Sequence, residues 1–454
     1  MANYSFSGIA GSGLSPLAQI MKLKGHRVYG SDRCFDMGEN LHIKEALESL
    51  GIKIFPHDGS CVTADTDMLY VSTAVEDDMP DIKSAKEKNV PIVPRFDLLA
   101  DLFHQYTHNI AIAGTSGKTT TTAMIGYVLD RLKLRPCVVN GGLMQNYMDH
   151  KGVPNFIYNE GDICVIESDE SNGSIEKYHP YIALVNSVGL DHKSIDEIYG
   201  LFEDFVARAK HAAVVNLDCE KCASIKHPHK KTYTFSIKNP HADFYAYNIK
   251  PVADGTLYSI DGKEFKLNLI GKFNVSNALA CVAICSILGV DKFDVARALE
   301  GFLGTKRRLE VMGTAKGITV INDFAHNPEK VAASVGALKS YEGRLIIMYQ
   351  PHGFAPVRLN GKEIAQEFAN VMDNQDILVM PEIYYVGGTA AQDVSSKNLI
   401  KIVEDAGKSA VYFETKDEAK KFILLNAKKG DRVVIMGARD PLLPELCKEI
   451  LKEL

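Results

Sequence analysis

Lys118 and Thr119 close the run Asn109-Ile-Ala-Ile-Ala-Gly-Thr-Ser-Gly117, a short apolar segment leading straight into a glycine-bearing loop. Backbone N–H groups of such a loop, and of the first turn of the helix behind it, converge on one spot that suits phosphate oxygens. Lys118 adds a point charge there and Thr119 a hydroxyl for a magnesium ion, which together equip an ATP phosphate cradle. The loop is shorter than the general form, because Ile112 occupies the place of its first glycine.

Carboxylates follow at a distance. Asp162-Ile-Cys-Val-Ile-Glu-Ser-Asp-Glu170 reads as an apolar strand whose end carries Glu167, Asp169 and Glu170. Carboxylates so close raise one another's pKa unless a cation neutralises them, and magnesium is the natural candidate. A second strand, Ile182 to Val185, leads through Asn186 and Ser187 to Asp191 and His192. In an open parallel sheet the loops after the strand ends gather on one edge, where ligands bind. Asn274 and Asn277 share a face at the start of a helix, with Asn274 expected at its N-cap.

These residues need elements to hold them. Ile125, Val128, Leu129 and Leu132 give one apolar stripe and predict a helix directly behind the phosphate loop. The stretch to residue 107 alternates strands and helices. Its glycines Gly8, Gly11 and Gly13 sit between a strand and a helix as G-x-x-G-x-G, which departs from the dinucleotide pattern and weakens a nicotinamide reading. Asp32 ends the second strand, where an acidic side chain can accept from a ribose hydroxyl or simply serve a turn. Between 216 and 269 the pattern turns polar, and Thr232 to Phe235, Phe244 to Tyr247 and Leu257 to Ile260 are expected to form an antiparallel insertion. From Gly304 strands and helices alternate again, with polar clusters after strands at Asn322 to Pro328, Gln350 to Arg358 and Gly437 to Asp440. A second α/β domain closing over the ATP site fits this pattern.

Composition sets the bounds. A chain of 454 residues is too long for one ordinary core, and 46% hydrophobic with 24% charged residues belongs to a folded globular protein. A formal net charge of −6 offers no general attraction for nucleic acid. Apolar runs are strand-sized, no signal-peptide pattern opens the chain, and the nine cysteines suit free thiols, so the cytoplasm is the expected compartment, with no membrane association. Cys219 and Cys222 alone have metal-like spacing, with His227 and His229 behind them; a zinc site competes there with an ordinary polar loop.

Taken together, Gly-Thr-x-Gly-Lys-Thr at 114 to 119, Glu-x-Asp-Glu-Ser at 167 to 171, Asp191-His192, Asn-x-x-Asn-Ala at 274 to 278, Arg308 and Asp-x-Ala-His-x-Pro at 323 to 328 resemble the Mur ligase family, ATP-dependent enzymes that add amino acids to a UDP-muramoyl precursor of peptidoglycan. The resemblance covers nearly the whole chain. It implies an α/β protein of three domains: a Rossmann-like UDP-binding domain to residue 107, a P-loop ATPase domain from 108 to 304, and a Rossmann-like amino-acid-binding domain from 305 to 454. It further implies that Gly114, Thr115, Ser116, Gly117, Lys118, Thr119 and Thr120 hold the ATP phosphates, with Asn274, Asn277, Asp323 and His326 also on the nucleotide. Lys118, Glu167, Glu170, His192 and Arg308 would act in catalysis. Thr119, with Glu167 or Glu170, would bind one Mg2+ and His192 a second. Gly11, Gly13, Ser15 and Asp32 would take the UDP moiety.

Within the family, Gly-x-x-Gly-x-Gly-Leu-Ser at 8 to 15, Gly30-Ser-Asp32 and Gln350-Pro-His352 point to members that act on UDP-N-acetylmuramate itself. The implied acceptor is a small amino acid, L-alanine favoured, gripped by His352 and Arg358. Gly353 replaces the arginine usual after His352. Reattachment of a recycled murein tripeptide, or a non-catalytic UDP-sugar-binding role on the same fold, are the alternatives. A monomer or weak homodimer is expected.

Overall fold

The computed structural model describes residues 1–72, 75–170, 173–189, 194–252, 255–385, 391 and 393–454. The chain forms two compact units, one of Met1–Asn248, Tyr258–Leu267 and Val275–Thr305, the other of Ile249–Leu257, Asn268–Asn274 and Lys306–Leu454.

The first unit opens with a five-stranded sheet built from β1 (Asn3–Ser7), β2 (Arg27–Ser31), β3 (Lys53–Phe55), β4 (Met68–Val71) and β5 (Ile92–Pro94), in the order β3-β2-β1-β4-β5. Every pairing is parallel, so helices must cover both faces. Leu17, Ile20 and Met21 are buried on the helix Ser15–Leu23. Strand order reverses at β1, so the glycine loop after it emerges at a switch point, the usual place for a ligand in such sheets.

A second sheet follows the same logic around the phosphate loop. Its strands are β6 (His108–Ala113), β7 (Cys137–Val139), β8 (Phe156–Tyr158), β9 (Ile163–Glu167), β10 (Ile182–Val185), β11 (Ala212–Asn216), β12 (Lys231–Ser236) and β13 (Phe244–Tyr245), ordered β13-β12-β11-β10-β6-β9-β7-β8. β6 lies between β10 and β9, both parallel to it. The loop after β6 is therefore flanked by the ends of the two strands that carry the acidic and the Asn186-Ser187 segments. Helix Lys118–Arg131 buries Ile125, Val128 and Leu129 completely, as its periodicity predicts, and Leu132 is its C-cap.

Two expectations need correction here. β12 and β13 extend the main sheet in parallel, so Thr232 to Phe235 is not part of an antiparallel insertion. Hydrogen bonding to β11 outweighed the polar pattern, which a sheet edge tolerates because one side of it meets water. β14 (Tyr247–Val252), β15 (Gly255–Ile260) and β16 (Lys263–Leu267) form a small separate sheet. Asn274 is not an N-cap: helix Lys272–Ile287 begins before it, and its Nδ2 donates to the Ile270 carbonyl at 2.8 Å.

The second unit carries β17 (Glu310–Ala315), β18 (Ile318–Asp323), β19 (Leu345–Tyr349), β20 (Ile377–Pro381), β21 (Ser409–Phe413) and β22 (Arg432–Met436) in the order β17-β18-β22-β19-β20-β21. Only the β17–β18 pair is antiparallel. Separate apolar clusters cover the two faces, one centred on Ile321, Val335, Ile347 and Phe368, the other on Val320, Ile346, Val433 and Ile450. No helix among the described residues is long and apolar enough to cross a membrane.

Candidate active site

The phosphate loop is braced from beneath by the end of β10. Thr115 N–H donates to the Ser187 carbonyl at 3.1 Å, and Ser116 N–H donates to Ser187 Oγ at 2.8 Å. Asn186 Nδ2 donates to the Ser116 carbonyl at 3.1 Å and to Asn277 Oδ1 at 2.9 Å. Gly117 has φ +85°, and a Cβ there would stand 1.9 Å from Asn186 Nδ2, so only glycine lets the loop and its brace coexist. Gly114, at φ +133°, is similarly pinned, with the Ser187 nitrogen 2.9 Å from where its Cβ would be. Thr120 is buried in the first turn of helix Lys118–Arg131.

Above this brace the acidic strand end divides its work. Lys118 Nζ donates to both Glu170 oxygens, at 2.8 and 3.0 Å, and to the Gly114 carbonyl at 2.6 Å. Thr119 Oγ1 donates to Glu167 Oε2 at 3.0 Å, while Glu167 Oε1 accepts from Gly141 N–H. Lys118 is thus one cation that neutralises this strand end, at Glu170. Proximity of loop and strand end in space supplied a cation that sequence spacing does not show. Glu167, whose carboxylate shares the strand end with the Thr119 hydroxyl, could offer a hard cation an oxygen donor. Asp191 and His192 lie outside the described residues.

In the N-terminal sheet, Gly11 N–H donates to the Gly8 carbonyl at 3.1 Å, closing the turn after β1. Asp32 is buried and shares its carboxylate between Ala10 N–H, at 2.9 Å, and Cys34 N–H, at 3.0 Å. It ties the glycine loop to the end of β2. Ser15 is buried, and its Oγ accepts from Asn155 Nδ2 at 2.9 Å. Gly13 lies under a guanidinium: a Cβ there would be 2.7 Å from Arg95 Nη1. Sequence reasoning missed Arg95. Its signal is a cation in the first turn of helix Arg95–His104, where it opposes the helix dipole and so has no helix-stabilising reason to be.

In the second unit Asp323 ends β18, almost fully buried. It accepts from Leu309 N–H at 3.0 Å, and burial raises its pKa. Arg308 and Arg307 both stack on Phe324, each guanidinium 4.9 Å from the ring centre, and Arg307 Nη2 donates to the Gly437 carbonyl at 2.6 Å. Burial, with Lys330 nearby, holds His326 at about 4, so its ring is neutral at neutral pH; its Nδ1–H donates to the Phe324 carbonyl at 2.9 Å. Asn327 caps the helix Pro328–Leu338 through Lys330 N–H. His352 lies 6.0 Å from His326, ring centre to centre, and is held at about 4 by burial and by Arg439 and Arg307. Arg358 sits on helix Phe354–Val371 and is paired with Asp393 and the Ala391 carbonyl. Arg439, exposed after β22, is a further cation near His352 that sequence reasoning passed over, although it stands in one of the polar clusters at strand ends.

His227 is buried and committed to the fold. Its Nε2–H donates to the Ala209 carbonyl at 2.7 Å, and its Nδ1 accepts from His229 N–H and Lys230 N–H. No group of three or more metal-ligating side chains occurs among the described residues. The Cys219 and Cys222 pair therefore has no zinc-site partner in His227.

The comparisons with known proteins agree along the whole length. Residues 3–107 match the model for the Mur ligase family, catalytic domain; 112–285 match the Mur ligase middle domain; 307–439 match the Mur ligase, glutamate ligase domain. The UDP-N-acetylmuramate–L-alanine ligase of Dictyoglomus turgidum is 34% identical over 95% of this chain and 93% of its own length. That of Sulfurihydrogenibium sp. is also 34% identical, over 95% and 94%. The crystal structure of the Thermotoga maritima UDP-N-acetylmuramate-alanine ligase superposes with a TM-score of 0.81 at 26% identity, covering 100% of this chain and 99% of that one. A murein peptide ligase from Psychrobacter arcticus shares the fold, with a TM-score of 0.67 at 22% identity over 100% and 98%. With three successive domain models matched and full-length relatives above 30% identity, the chain belongs to the Mur ligase family.

Proposed function

We propose that this protein is an ATP-dependent ligase that joins L-alanine to the carboxylate of UDP-N-acetylmuramate in peptidoglycan precursor synthesis, in the cytoplasm. The observation that carries this reading is the full-length identity of 34% to ligases bearing that name. Reattachment of a murein tripeptide is the second reading, and the shared fold with a murein peptide ligase favours it.

The chemistry uses two displacements. The carboxylate of the sugar attacks the γ-phosphorus of ATP, giving an acyl phosphate and ADP. The amine then attacks the acyl carbon, and phosphate leaves as the amide forms. Little covalent work falls to the protein, so alignment and charge neutralisation account for most of the rate. The loop N–H groups from Gly114 to Thr119 hold phosphate oxygens, and Lys118 turns from Glu170 toward the transferred group. Glu170, 5% exposed at its side chain, keeps the ammonium aimed at the loop until nucleotide arrives. Thr119 and Glu167, a hydroxyl and a carboxylate 3.0 Å apart, would hold a magnesium ion, which would neutralise phosphate charge. His192 is proposed for a second magnesium. Arg308, Asp323, His326, Asn274 and Asn277 serve the nucleotide. Gly11, Gly13, Ser15 and Asp32 serve UDP, with Arg95 suited to its diphosphate, and the domain boundaries fall near 107 and 304. His352 and Arg358 face the amino acid.

Phosphate release is the test, followed with ATP, magnesium and UDP-N-acetylmuramate while L-alanine, glycine, L-serine, L-glutamate and the murein tripeptide are added in turn. L-alanine is expected to give the highest kcat/KM. Preference for the tripeptide or for glutamate overturns the alanine reading, and no turnover with any acceptor overturns the ligase reading.

A further inference from the structure

Gln19 and Asn155 are amide side chains buried against each other, one on the helix Ser15–Leu23 and the other directly before β8, 0% and 1% exposed. Gln19 Oε1 accepts from Val153 N–H at 2.6 Å, and its Nε2 donates to the Val153 carbonyl and to Asn155 Oδ1, each at 3.3 Å. Asn155 Nδ2 donates to the glycine loop, to Ser15 Oγ at 2.9 Å and to the Ser12 carbonyl at 3.3 Å. Every polar atom of the two amides therefore has a partner. Packing alone does not call for such a pair, because apolar side chains of the same shape in both places would be as stable or more so, whereas paired amides fix direction and distance. What they fix is the stretch from Ser12 to Ser15. The helix behind that stretch has no side-chain cap of its own, so the loop is held from the second sheet instead.

The other side of Asn155 leads to the phosphate loop. β7 and β8 are antiparallel, with Val139 opposite Phe156, and the ladder continues one step further, where Asn140 N–H donates to the Asn155 carbonyl at 3.0 Å. The next residue, Gly141, donates its N–H to Glu167 Oε1, and Glu167 Oε2 accepts from Thr119 Oγ1 at 3.0 Å. A Cβ on Gly142 would come 2.8 Å from Thr119 Cγ2, so this turn lies directly against the start of the helix Lys118–Arg131. Direct bonds thus run from Ser12 and Ser15 through Asn155 and the end of β7 to Glu167 and Thr119.

We propose that Asn155 is a positioning residue: supported by Gln19, it fixes the glycine loop against the β7 turn and so sets where the carboxylate of the UDP-sugar stands relative to the γ-phosphate. The role rests on the UDP and ATP sites proposed above, and in it Asn155 touches neither substrate. Alignment is what such a residue supplies, since a misplacement of about 1 Å costs on the order of a hundredfold in rate.

The test compares the full-length parent with Asn155→Asp, which keeps the shape of the side chain and the oxygen facing Gln19 but has no N–H for Ser12 and Ser15. Calorimetry measures the dissociation constants of UDP-N-acetylmuramate and of a non-hydrolysable ATP analogue with magnesium, each alone. Phosphate release at saturating substrates, with the best acceptor of the panel above, measures kcat, and a urea midpoint reports folding. The expected result is a dissociation constant for the UDP-sugar raised roughly tenfold by the loss of two hydrogen bonds, an unchanged one for the analogue, and a kcat lowered about tenfold or more. Asn155→Ser, which drops the same donor without burying a charge, should repeat this pattern and reports in its place if Asn155→Asp does not fold. Gln19→Met, which leaves Asn155 present but unsupported, should move the same quantities in the same direction by a smaller factor. Sugar affinity or kcat like the parent's in a folded Asn155 variant overturns the positioning role. So does a loss of affinity shared equally by sugar and analogue, which is what a general loosening of the fold gives. A parent that does not bind the UDP-sugar overturns the UDP site and the role with it, whereas a parent that binds both ligands and turns over no acceptor overturns the ligase reading and the alignment role together, the affinity pattern then deciding only whether Asn155 holds the sugar loop.

Discussion

Lys118 and Glu170 form a two-pronged ion pair, the ammonium 2.8 and 3.0 Å from the two carboxylate oxygens, with side chains only 17% and 5% exposed. Breaking such a pair from one side leaves a buried charge uncompensated, which costs roughly 3 to 5 kcal/mol. Lys118→Ala should therefore lose turnover by about a hundredfold or more, the scale of one well-placed charge on a transferring phosphoryl group, and should also lower Tm. Adding Glu170→Gln should restore part of the Tm and none of the turnover. Full turnover in Lys118→Ala at saturating ATP would remove the lysine from the phosphate site.

Thr119 and Glu167 give a separate prediction for the metal. Glu167→Gln should raise the magnesium concentration needed for half-maximal activity by about tenfold, the worth of one charge-assisted contact, while excess chelator abolishes activity in the parent. A metal titration of both proteins checks this. An unchanged magnesium requirement would separate Glu167 from the ion.

Gly117→Ala should damage both stability and nucleotide binding, because its Cβ falls 1.9 Å from Asn186 Nδ2 at a φ of +85°. A loss of about 2 kcal/mol in urea unfolding, from strain plus a displaced amide, is the expected size. Asn186→Ala in the same chain should relieve the closer clash and leave the φ penalty and the approach to Asn277 Oδ1, 2.7 Å from the added Cβ.

The two histidines of the second unit make stability depend on pH. The unfolded chain protonates these rings as pH falls through about 6.5, but burial keeps the folded rings neutral down to about 4. Between those values the unfolded state binds more protons, so stability is full above about 6.5 and falls as pH is lowered toward 4, losing roughly 2 kcal/mol per ring between pH 7 and pH 5. Urea midpoints at pH 7 and pH 5 measure the slope. His326→Gln should flatten it; an unchanged slope would mean that this ring is not the group responsible.

In the proposed acceptor site, Asp393 competes with an amino-acid carboxylate for the Arg358 guanidinium. Arg358→Ala is expected to raise the acceptor's KM about tenfold, and Asp393→Asn, which frees the guanidinium, to lower it. Equal effects of the two substitutions would show that the pair is structural.

Strand-sized apolar runs bounded by polar residues made much of the fold legible: Ile182–Val185 is a strand with the expected bounds, and the strands Leu345–Tyr349 and Arg432–Met436 end directly before the polar clusters that begin at Gln350 and Gly437. The same local rule failed at β12, where pairing with β11 decided the matter, and at Asn274, where the helix began earlier than a capping residue suggested.

The sequence by itself determined the phosphate loop, its helix and the acidic strand end, because a glycine at positive φ, a lysine after it and a 3.6-residue apolar stripe are local demands. Tertiary structure decided which carboxylate does what. Lys118 and Glu170 are 52 residues apart, and Thr119 and Glu167 are 48 apart. Only the sheet order, with β6 between β9 and β10, brings one carboxylate to the ammonium and the other to the hydroxyl. The brace from Asn186 and Ser187 and the guanidinium of Arg95 over Gly13 arise in the same way, since hydrogen bonds between distant strand ends depend on topology and leave no trace in local periodicity.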